Sequence, residues 1–311
     1  SSRAGALPLA ALGDVVTDVY PADVISPPPR LRVGIIGTGR VGAVLGAALR
    51  RTGHRIVACS ARGDISRVRA EALLPGTPIM SPVEVARSCD LLIIAVPDDA
   101  LPEVVFDVHD VVHPGQIVMH VSGRHGLGVL APLTGVLAFA AHPVMTFTGT
   151  SLDLDRLEDC PFGVTSDSAA ASVAAALVVE MGGEPIAVSD DMRTVYHAAL
   201  AHGANHLVTL VAQTLDMLAA AGVQDPSRIA RPLLTAALDN ALRQGDRALT
   251  GPVARGDAVT LRAHMDGIPD SNTLATYRSL AQATVDRAVA SGMLSSVDAE
   301  ALREILGEES I

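Results

Sequence analysis

Three glycines at a predicted strand–helix junction carry the clearest chemical signal in this chain. Gly37, Gly39 and Gly42 lie in the run Leu31–Gly46, LRVGIIGTGRVGAVLG. The residues before them are apolar, and those after them repeat at helical spacing. At such a junction the first glycine permits a tight turn, the second lets the backbone approach a pyrophosphate, and the third lets the helix pack on the strand. The pattern predicts a dinucleotide-binding turn; the alternative is a glycine-rich turn that binds no nucleotide.

The end of the second predicted strand indicates which dinucleotide this turn would bind. NAD-binding proteins usually place a carboxylate there, about 20 residues beyond the glycines, to bind the ribose 2′-hydroxyl. This chain has Ser60 and Arg62 in that place, and no acidic residue occurs between the glycines and Asp64. A hydroxyl and a guanidinium suit a 2′-phosphate, so we expect NADP as the cofactor. The alternative is that Arg62 is an ordinary solvated arginine.

Other candidate cofactor contacts follow from the strand pattern. In open parallel sheets, ligands bind at the carboxyl ends of the strands. The apolar run Leu91–Val96 and the predicted strand Ile117–Val121 end at such positions. The positions predicted to complete the cofactor site are Arg40, Val41, Val96, Pro97 and Ser122.

The periodicity of apolar residues divides the chain. Strand and helix patterns alternate up to about residue 190, after which the pattern is helical. We expect an α/β fold with a Rossmann-type doubly wound parallel sheet over residues 31–190, followed by an all-helical domain over residues 191–311. Residues 1–30 are interpreted as an N-terminal extension. The uncharged segment Thr194–Leu215 is interpreted as a central, largely buried helix, because its histidines and amides would be costly in lipid.

Composition restricts the partners. The net charge of −11 argues against nucleic acid, and the absence of Trp, with three Tyr and four Phe, leaves little surface for stacking bases. Three scattered cysteines are typical of reduced thiols. We therefore expect a cytoplasmic protein with a small-molecule substrate and no membrane or nucleic-acid partner. The apolar faces of the helical region also predict a homodimer.

The chain contains no lysine, which restricts how it could handle a proton. Because arginine does not deprotonate, histidine is the main candidate, and we expect His142 or His197 to act on the reacting group, with Asn205 orienting it. Either histidine would titrate between about pH 6 and 8 if its pKa were unperturbed. No metal is predicted, because His202 and His206 have no third ligand nearby.

Two arginines are candidates for binding a substrate carboxylate. Arg124 follows a predicted strand end, and Arg255 lies in the run Thr250–Asp257, TGPVARGD. A guanidinium can bind a carboxylate through two hydrogen bonds. The alternative, which we favour for Thr250–Asp257, is a structural turn in which Arg255 and Asp257 hold a helix end.

Several motifs together resemble an uncharacterised oxidoreductase family. They are Gly37–Gly42, Val96–Ala100, His120–Gly123, Ala141–Pro143, Tyr196–Ala199 with Asn205, and Leu249–Asp257 with His264. Members of that family join a Rossmann-like domain to a helical domain of unknown function, and actinobacterial members are often labelled alanine- and leucine-rich proteins. The resemblance covers about residues 31–305 and implies the fold and the cofactor more firmly than the substrate.

More distantly, the chain is similar to pyrroline-5-carboxylate reductases, deazaflavin-dependent NADP reductases and prephenate dehydrogenases. Prephenate dehydrogenases share a His-Pro after a late strand, matched here by His142 and Pro143. The expected function is an NADP(H)-dependent oxidoreductase that transfers a hydride to or from a small C=O or C=N substrate. The alternative is a catalytically silent NADP-binding or scaffold protein.

Overall fold

The computed structural model describes residues 30–307. Apart from Arg30, the predicted N-terminal extension therefore lies outside the described residues. The chain forms two compact units, the first extending to His197 and the second beginning at Ala198. Within residues 30–307, no helix has both the length and the hydropathy needed to cross a membrane.

The first unit contains one seven-stranded sheet. Its strands are β1 (Arg32–Ile36), β2 (Arg55–Ser60), β3 (Leu91–Ile94), β4 (Ile117–His120), β5 (Leu137–Pro143), β6 (Pro161–Ser166) and β7 (Glu184–Ala187). The helices that begin in this unit are α1 (Arg40–Arg51), α2 (Asp64–Leu73), α3 (Pro82–Ser88), α4 (Leu101–Val108), α5 (Leu152–Arg156), α6 (Ala171–Glu180) and α7 (Arg193–Ala201).

The sheet has the strand order β2-β1-β3-β4-β5-β6-β7. Neighbouring strands are parallel except β5 and β6, which pair antiparallel. The connection between those two strands contains only the five-residue helix α5, whereas parallel neighbours usually need a longer helical crossover. Because the chain leaves β1 toward β2 on one side and returns to β3 on the other, a crevice opens between β1 and β3 at their carboxyl ends. The predicted doubly wound α/β fold is confirmed.

Burial on both faces explains why β3 is a continuous apolar run. Successive side chains of a strand point to opposite faces, so Leu91 and Ile93 join one hydrophobic cluster and Leu92 and Ile94 join the other. The first cluster includes residues of α1 and α6, and the second includes residues of α3 and α4. The carboxyl edge of the sheet is thus held between two packed layers.

The glycine turn depends on close packing. Gly37 has a φ of +96°, a conformation that favours glycine, and a β-carbon at Gly42 would overlap the carbonyl oxygen of Gly37 and lie 2.9 Å from Cβ of Ala95. Gly39 differs, because a β-carbon there would meet no atom within 4 Å. Two of the glycines are therefore required by the fold, and the third borders open space.

The second unit is helical. Its helices are α8 (Leu207–Ala220), α9 (Pro226–Gln244), α10 (Gly251–Ala254), α11 (Ala258–Gly267), α12 (Ser271–Ala290) and α13 (Ser296–Gly307). A separate core joins α10 to α13, with Leu261, Val285 and Leu302 fully buried. In contrast, α8 buries no residue and α9 buries only Ala230.

The expectation of one central, buried helix over Thr194–Leu215 is wrong. The segment comprises all of α7 except Arg193, a π-helical turn at His202–His206 and the first part of α8, and Val208 is 69% exposed. The apolar residues of α8 are exposed because neighbouring helices of the described chain cover only part of its surface.

The packing of the glycine turn predicts different outcomes for two alanine substitutions. We expect Gly42→Ala to lower the free energy of unfolding by about 1–3 kcal/mol, because the added methyl overpacks the turn. Gly39→Ala is the matched control and should keep full stability, since its φ of −68° suits alanine and its surroundings are open. Urea denaturation measures both; equal stability of the two variants would contradict the packing described here.

Candidate functional site

The amino terminus of α1 has the features of an anion-binding site. The backbone N–H of Gly37 donates to the Ser60 hydroxyl at 3.1 Å, and the Thr38 N–H donates to the Ser60 carbonyl at 3.0 Å, which ties the turn to β2. No side chain caps the amino terminus of α1, and its first turn contains no acidic residue. The unsatisfied N–H groups and the helix dipole there favour a negatively charged ligand.

A cavity of about 650 Å³ opens beside this turn. The predicted cofactor residues that line it are Gly37, Gly39, Ser60, Arg62, Val96 and Pro97. Gly42 does not line the cavity; it packs against the carbonyl group of Gly37. Arg40 and Val41 lie in the first turn of α1 without lining this cavity, and neither does Ser122. The cavity thus brings together the ends of β1, β2 and β3.

One wall of the cavity is cationic. Arg62, Ser66 and Arg67 line it, both arginines are exposed, and neither forms an ion pair with any residue among 30–307. The Ser60 hydroxyl, predicted to face the 2′-phosphate, already accepts the Gly37 N–H. On this wall the guanidinium groups are therefore the groups that a ligand phosphate would meet.

A second group of polar side chains lies further along the same edge of the sheet. His120, the last residue of β4, pairs with Ala140 of the parallel strand β5. His142, two residues further along β5, is therefore level with Ser122, two residues after the end of β4. Nδ1 of His142 is 2.9 Å from the Tyr196 hydroxyl, and the rings of His142 and His197 are 6.2 Å apart, nearly perpendicular.

Gly123 makes room for these rings. A β-carbon at Gly123 would lie 2.7 Å from Cδ2 of His197 and 3.1 Å from Nε2 of His142. The structure therefore brings together the two histidines that the sequence suggested, and it adds Tyr196.

Arg193 holds this group in place. The side chain is only 1% exposed, and its guanidinium donates to the carbonyls of His125 at 3.0 Å, Gly163 at 3.1 Å and Ser122 at 3.0 Å. Its Cζ lies 5.6 Å from the centre of the Tyr196 ring. One side chain thus ties the start of α7 to the loop after β4 and to β6, which explains why the first compact unit extends past residue 190 to His197.

Burial determines the protonation of this group. Burial, as the largest cause, and the nearby positive charge of Arg193 together lower the pKa of His142 from 6.5 to about 4. Burial also raises the pKa of the Tyr196 hydroxyl. Near neutral pH both groups are therefore uncharged, and the pKa of His142 lies below the range of about pH 6 to 8 expected for an unperturbed histidine.

The remaining predicted site residues, Arg124, Asn205 and Arg255, are exposed. Asn205 lies in the π-helical turn, whose i→i+5 hydrogen bonding differs from that of a regular α-helix. Arg124 pairs with Asp99 at 3.3 Å, so a substrate carboxylate would have to compete with that partner. Arg255 is exposed after α10.

The run Thr250–Asp257 contains a tight turn and a helix cap formed by Asp257. Gly256 has a φ of +72°, and Asp257 caps α11 by accepting the Thr260 N–H at 3.0 Å. Within residues 30–307, no three His, Cys, Asp or Glu side chains are grouped so that they could hold a metal ion. Nδ1 of His202 and Nδ1 of His206 lie 2.8 Å apart.

Sequence reasoning missed Arg193 and Tyr196 as parts of the site. Tyr196 was visible only as the neighbour of a candidate histidine. The sequence could not indicate the role of Arg193, because its partners are backbone carbonyls of segments that are distant in sequence.

Family models match both parts of the chain. Residues 18–143 match the Rossmann-like domain, and residues 160–284 match the domain of unknown function DUF2520. The chain therefore combines a Rossmann-like domain with this domain of unknown function, which confirms the resemblance found in the sequence. The comparison with curated proteins found no match.

Solved structures share the fold. A proposed NADP oxidoreductase from Bacteroides fragilis has a TM-score of 0.69 at 20% identity, covering 82% of this chain and 98% of its own. Prephenate dehydrogenase from A. aeolicus, in complex with hydroxyphenyl propionate and NAD⁺, has a TM-score of 0.53 at 18% identity, covering 65% and 78%. Pyrroline carboxylate reductase from Plasmodium falciparum, with NADP bound, has a TM-score of 0.52 at 13% identity, covering 89% and 98%.

The lowered histidine pKa values predict how stability depends on pH. His142 and the fully buried His120 both have a folded pKa of about 4, against 6.5 ordinarily, so the unfolded chain binds these protons more tightly. Their contribution to stability is complete above about pH 6.5 and is lost as the pH falls toward 4. Urea unfolding across this range should show a shallower fall for His142→Gln than for the unchanged chain. An identical fall in both would contradict the burial of His142.

Proposed function

We propose that this chain is an NADP(H)-dependent oxidoreductase that transfers a hydride to or from a small C=O or C=N substrate. The observation that carries the proposal is the joint presence, on one sheet edge of one compact unit, of a nucleotide-type glycine cavity and the neutral His142–Tyr196 pair. The fold shared with a proposed NADP oxidoreductase, a prephenate dehydrogenase and a pyrroline carboxylate reductase supports the same class.

The residues of the cavity fit a dinucleotide. The space beside Gly39 leaves the backbone open to a pyrophosphate, and the uncapped start of α1 supplies N–H groups to it. Arg62 and Arg67 would bind a 2′-phosphate, which is why NADP is favoured over NAD. When bound, the nicotinamide supplies the hydride that no side chain can provide.

The chain's own residues would bind and orient the reacting group. We assign the Tyr196 hydroxyl as the donor to Nδ1 of His142, because the raised pKa of the phenol keeps its proton and His142 is its side-chain partner. That assignment leaves the ring proton on Nε2, beside Gly123, where it can donate to a substrate atom. His142 then polarises the substrate as a neutral donor, and His197 is the second imidazole beside it.

A binding protein without activity is the alternative from another class. It would use the same glycines and arginines to hold NADPH, and no hydride would move. The two possibilities are distinguished by following the nicotinamide absorbance of NADPH in the presence of 2-oxo acids and cyclic imines, and of NADP⁺ with prephenate.

Cofactor preference tests the cationic wall. We expect NADPH to bind more tightly than NADH, and Arg62→Gln to narrow the difference by about 1–3 kcal/mol, the range of a hydrogen bond to a charged group. Arg55→Gln is the matched control, because it removes the same charge from the opposite end of β2. Calorimetric titration measures each affinity. Equal affinity of the unchanged chain for both cofactors would rule out the NADP preference.

Turnover tests the role of His142. With a substrate found by the absorbance assay, His142→Gln should lower turnover by about 10²-fold or more while NADPH binding stays unchanged. His109→Gln, at the end of α4, is the control and should retain full turnover. Unchanged turnover in His142→Gln would remove His142 from the mechanism, and NADPH binding without turnover of any compound would favour the silent alternative.

We further propose that the second unit forms a homodimer with the second unit of another copy. Ile229 and Leu233 lie on one side of α9 and Leu238 and Leu242 on the opposite side, and they are 51%, 66%, 48% and 79% exposed. A helix that is apolar on opposite sides is normally surrounded by other helices. A cavity of about 660 Å³ between α8 and α12, lined mainly by apolar residues, offers a complementary surface.

Sedimentation velocity tests this association at micromolar concentration. The unchanged chain should sediment as a dimer, and Leu233→Asp should dissociate it because a carboxylate would be buried in the interface. Val68→Asp is the control, since Val68 is comparably exposed, at 64%, in the first unit. A monomer in the unchanged chain, or dissociation by both variants, would contradict the proposed interface.

A further inference from the structure

The positive charge of Arg193 is buried without a direct counterion. Its three described partners are neutral carbonyl oxygens, and it forms no ion pair with a carboxylate in the described part of the chain. Asp190 and Asp98 are the carboxylates near enough to influence it. Asp190 itself accepts the Leu127 N–H at 2.6 Å. Because the buried guanidinium is surrounded by protein and not by bulk water, its positive charge is screened less from the neighbouring groups.

That field acts on His142. The pKa of His142 is lowered first by burial and then by Arg193 and His197, and the opposite effect of Asp98 is the smallest of the four. The positive potential that Arg193 contributes at the imidazole therefore exceeds the opposite contribution of Asp98, and the ring stays neutral. A neutral imidazole offers an N–H donor but has almost no tendency to give up that proton at neutral pH.

The positive potential from Arg193 and the neutral N–H donor of His142 determine which reacting group this site can stabilise. Hydride addition to a carbonyl carbon moves the C=O π electrons onto oxygen, and the alkoxide then takes a proton from water. A positive potential and an N–H donor stabilise that developing negative charge. Reduction of an imine instead proceeds through a protonated, cationic C=N group, which the same potential disfavours and which neutral His142 cannot generate.

We propose that the reacting group beside His142 is a carbonyl, or an alcohol in the reverse direction, and that imines and amines are excluded. The inference rests on the proposed function and narrows its substrate class. In the reverse direction an alcohol loses its proton to water and a hydride to NADP⁺, forming a carbonyl. Arg193 acts as a positioning residue: it holds the segments around His142 and supplies the positive potential without touching the reacting atoms.

Three isosteric probes test this inference without a known substrate. Acetate carries the negative charge of a developing oxyanion, acetamide is neutral, and acetamidinium carries the positive charge of an iminium ion. Each is titrated at millimolar concentration into the unchanged chain saturated with NADPH. Binding is followed through the ring ¹⁵N signals of His142, which are assigned by their loss in His142→Gln.

We expect acetate to shift the Nε2 signal at lower concentration than acetamidinium by at least about tenfold, with acetamide between them. In Arg193→Met the difference between acetate and acetamidinium should shrink and the pKa of His142 should rise. Acetamidinium binding as tightly as acetate, or no shift of the His142 signals by any probe, would overturn the inference. If Arg193→Met does not fold, the three probes on the unchanged chain still decide the result.

Binding of NADPH is measured separately by calorimetry. Failure of NADPH to bind would refute the proposed function itself. Tight NADPH binding together with a preference for acetamidinium would refute only the restriction to carbonyl groups and would point to imine chemistry.

Discussion

The close approach of α1 to the end of β1 is the constraint on which the first unit depends. No β-carbon fits between Gly42, the Gly37 carbonyl and Ala95, so the helix begins directly above the crevice between β1 and β3. Because the helix begins there, its unsatisfied N–H groups open into the cavity. The Ser60 hydroxyl fixes the same turn from the β2 side. The close packing of α1 on β1 therefore also determines where the unsatisfied N–H groups of the helix lie.

The second half of the site has a different physical basis. Three carbonyls from segments distant in sequence converge on Arg193, and this convergence places Tyr196 against His142. Burial is the largest influence on the His142 ring, exceeding that of the neighbouring charges. The ring is therefore a hydrogen-bond donor rather than an acid, and its reactivity follows from the packing around it.

Local patterns were sufficient to predict the fold but only part of the site. The glycine spacing, the apolar run of β3 and the helical repeat of α12 each reflect interactions within a few residues or one sheet face, so they can be recognised in the sequence. The roles of Arg193 and Ser60 depend on hydrogen bonds to distant backbone atoms, which no local pattern encodes. The π-helical turn at His202–His206 likewise departs from the regular α-helix that the sequence predicts over Thr194–Leu215.

A crystal structure of this chain with NADPH tests the central claim most directly. The account predicts the pyrophosphate at the backbone of Gly39 and the start of α1, the 2′-phosphate against Arg62 and Arg67, and the nicotinamide beside Gly123 and His142. A dinucleotide bound elsewhere, or one whose nicotinamide lies away from His142, would contradict the account.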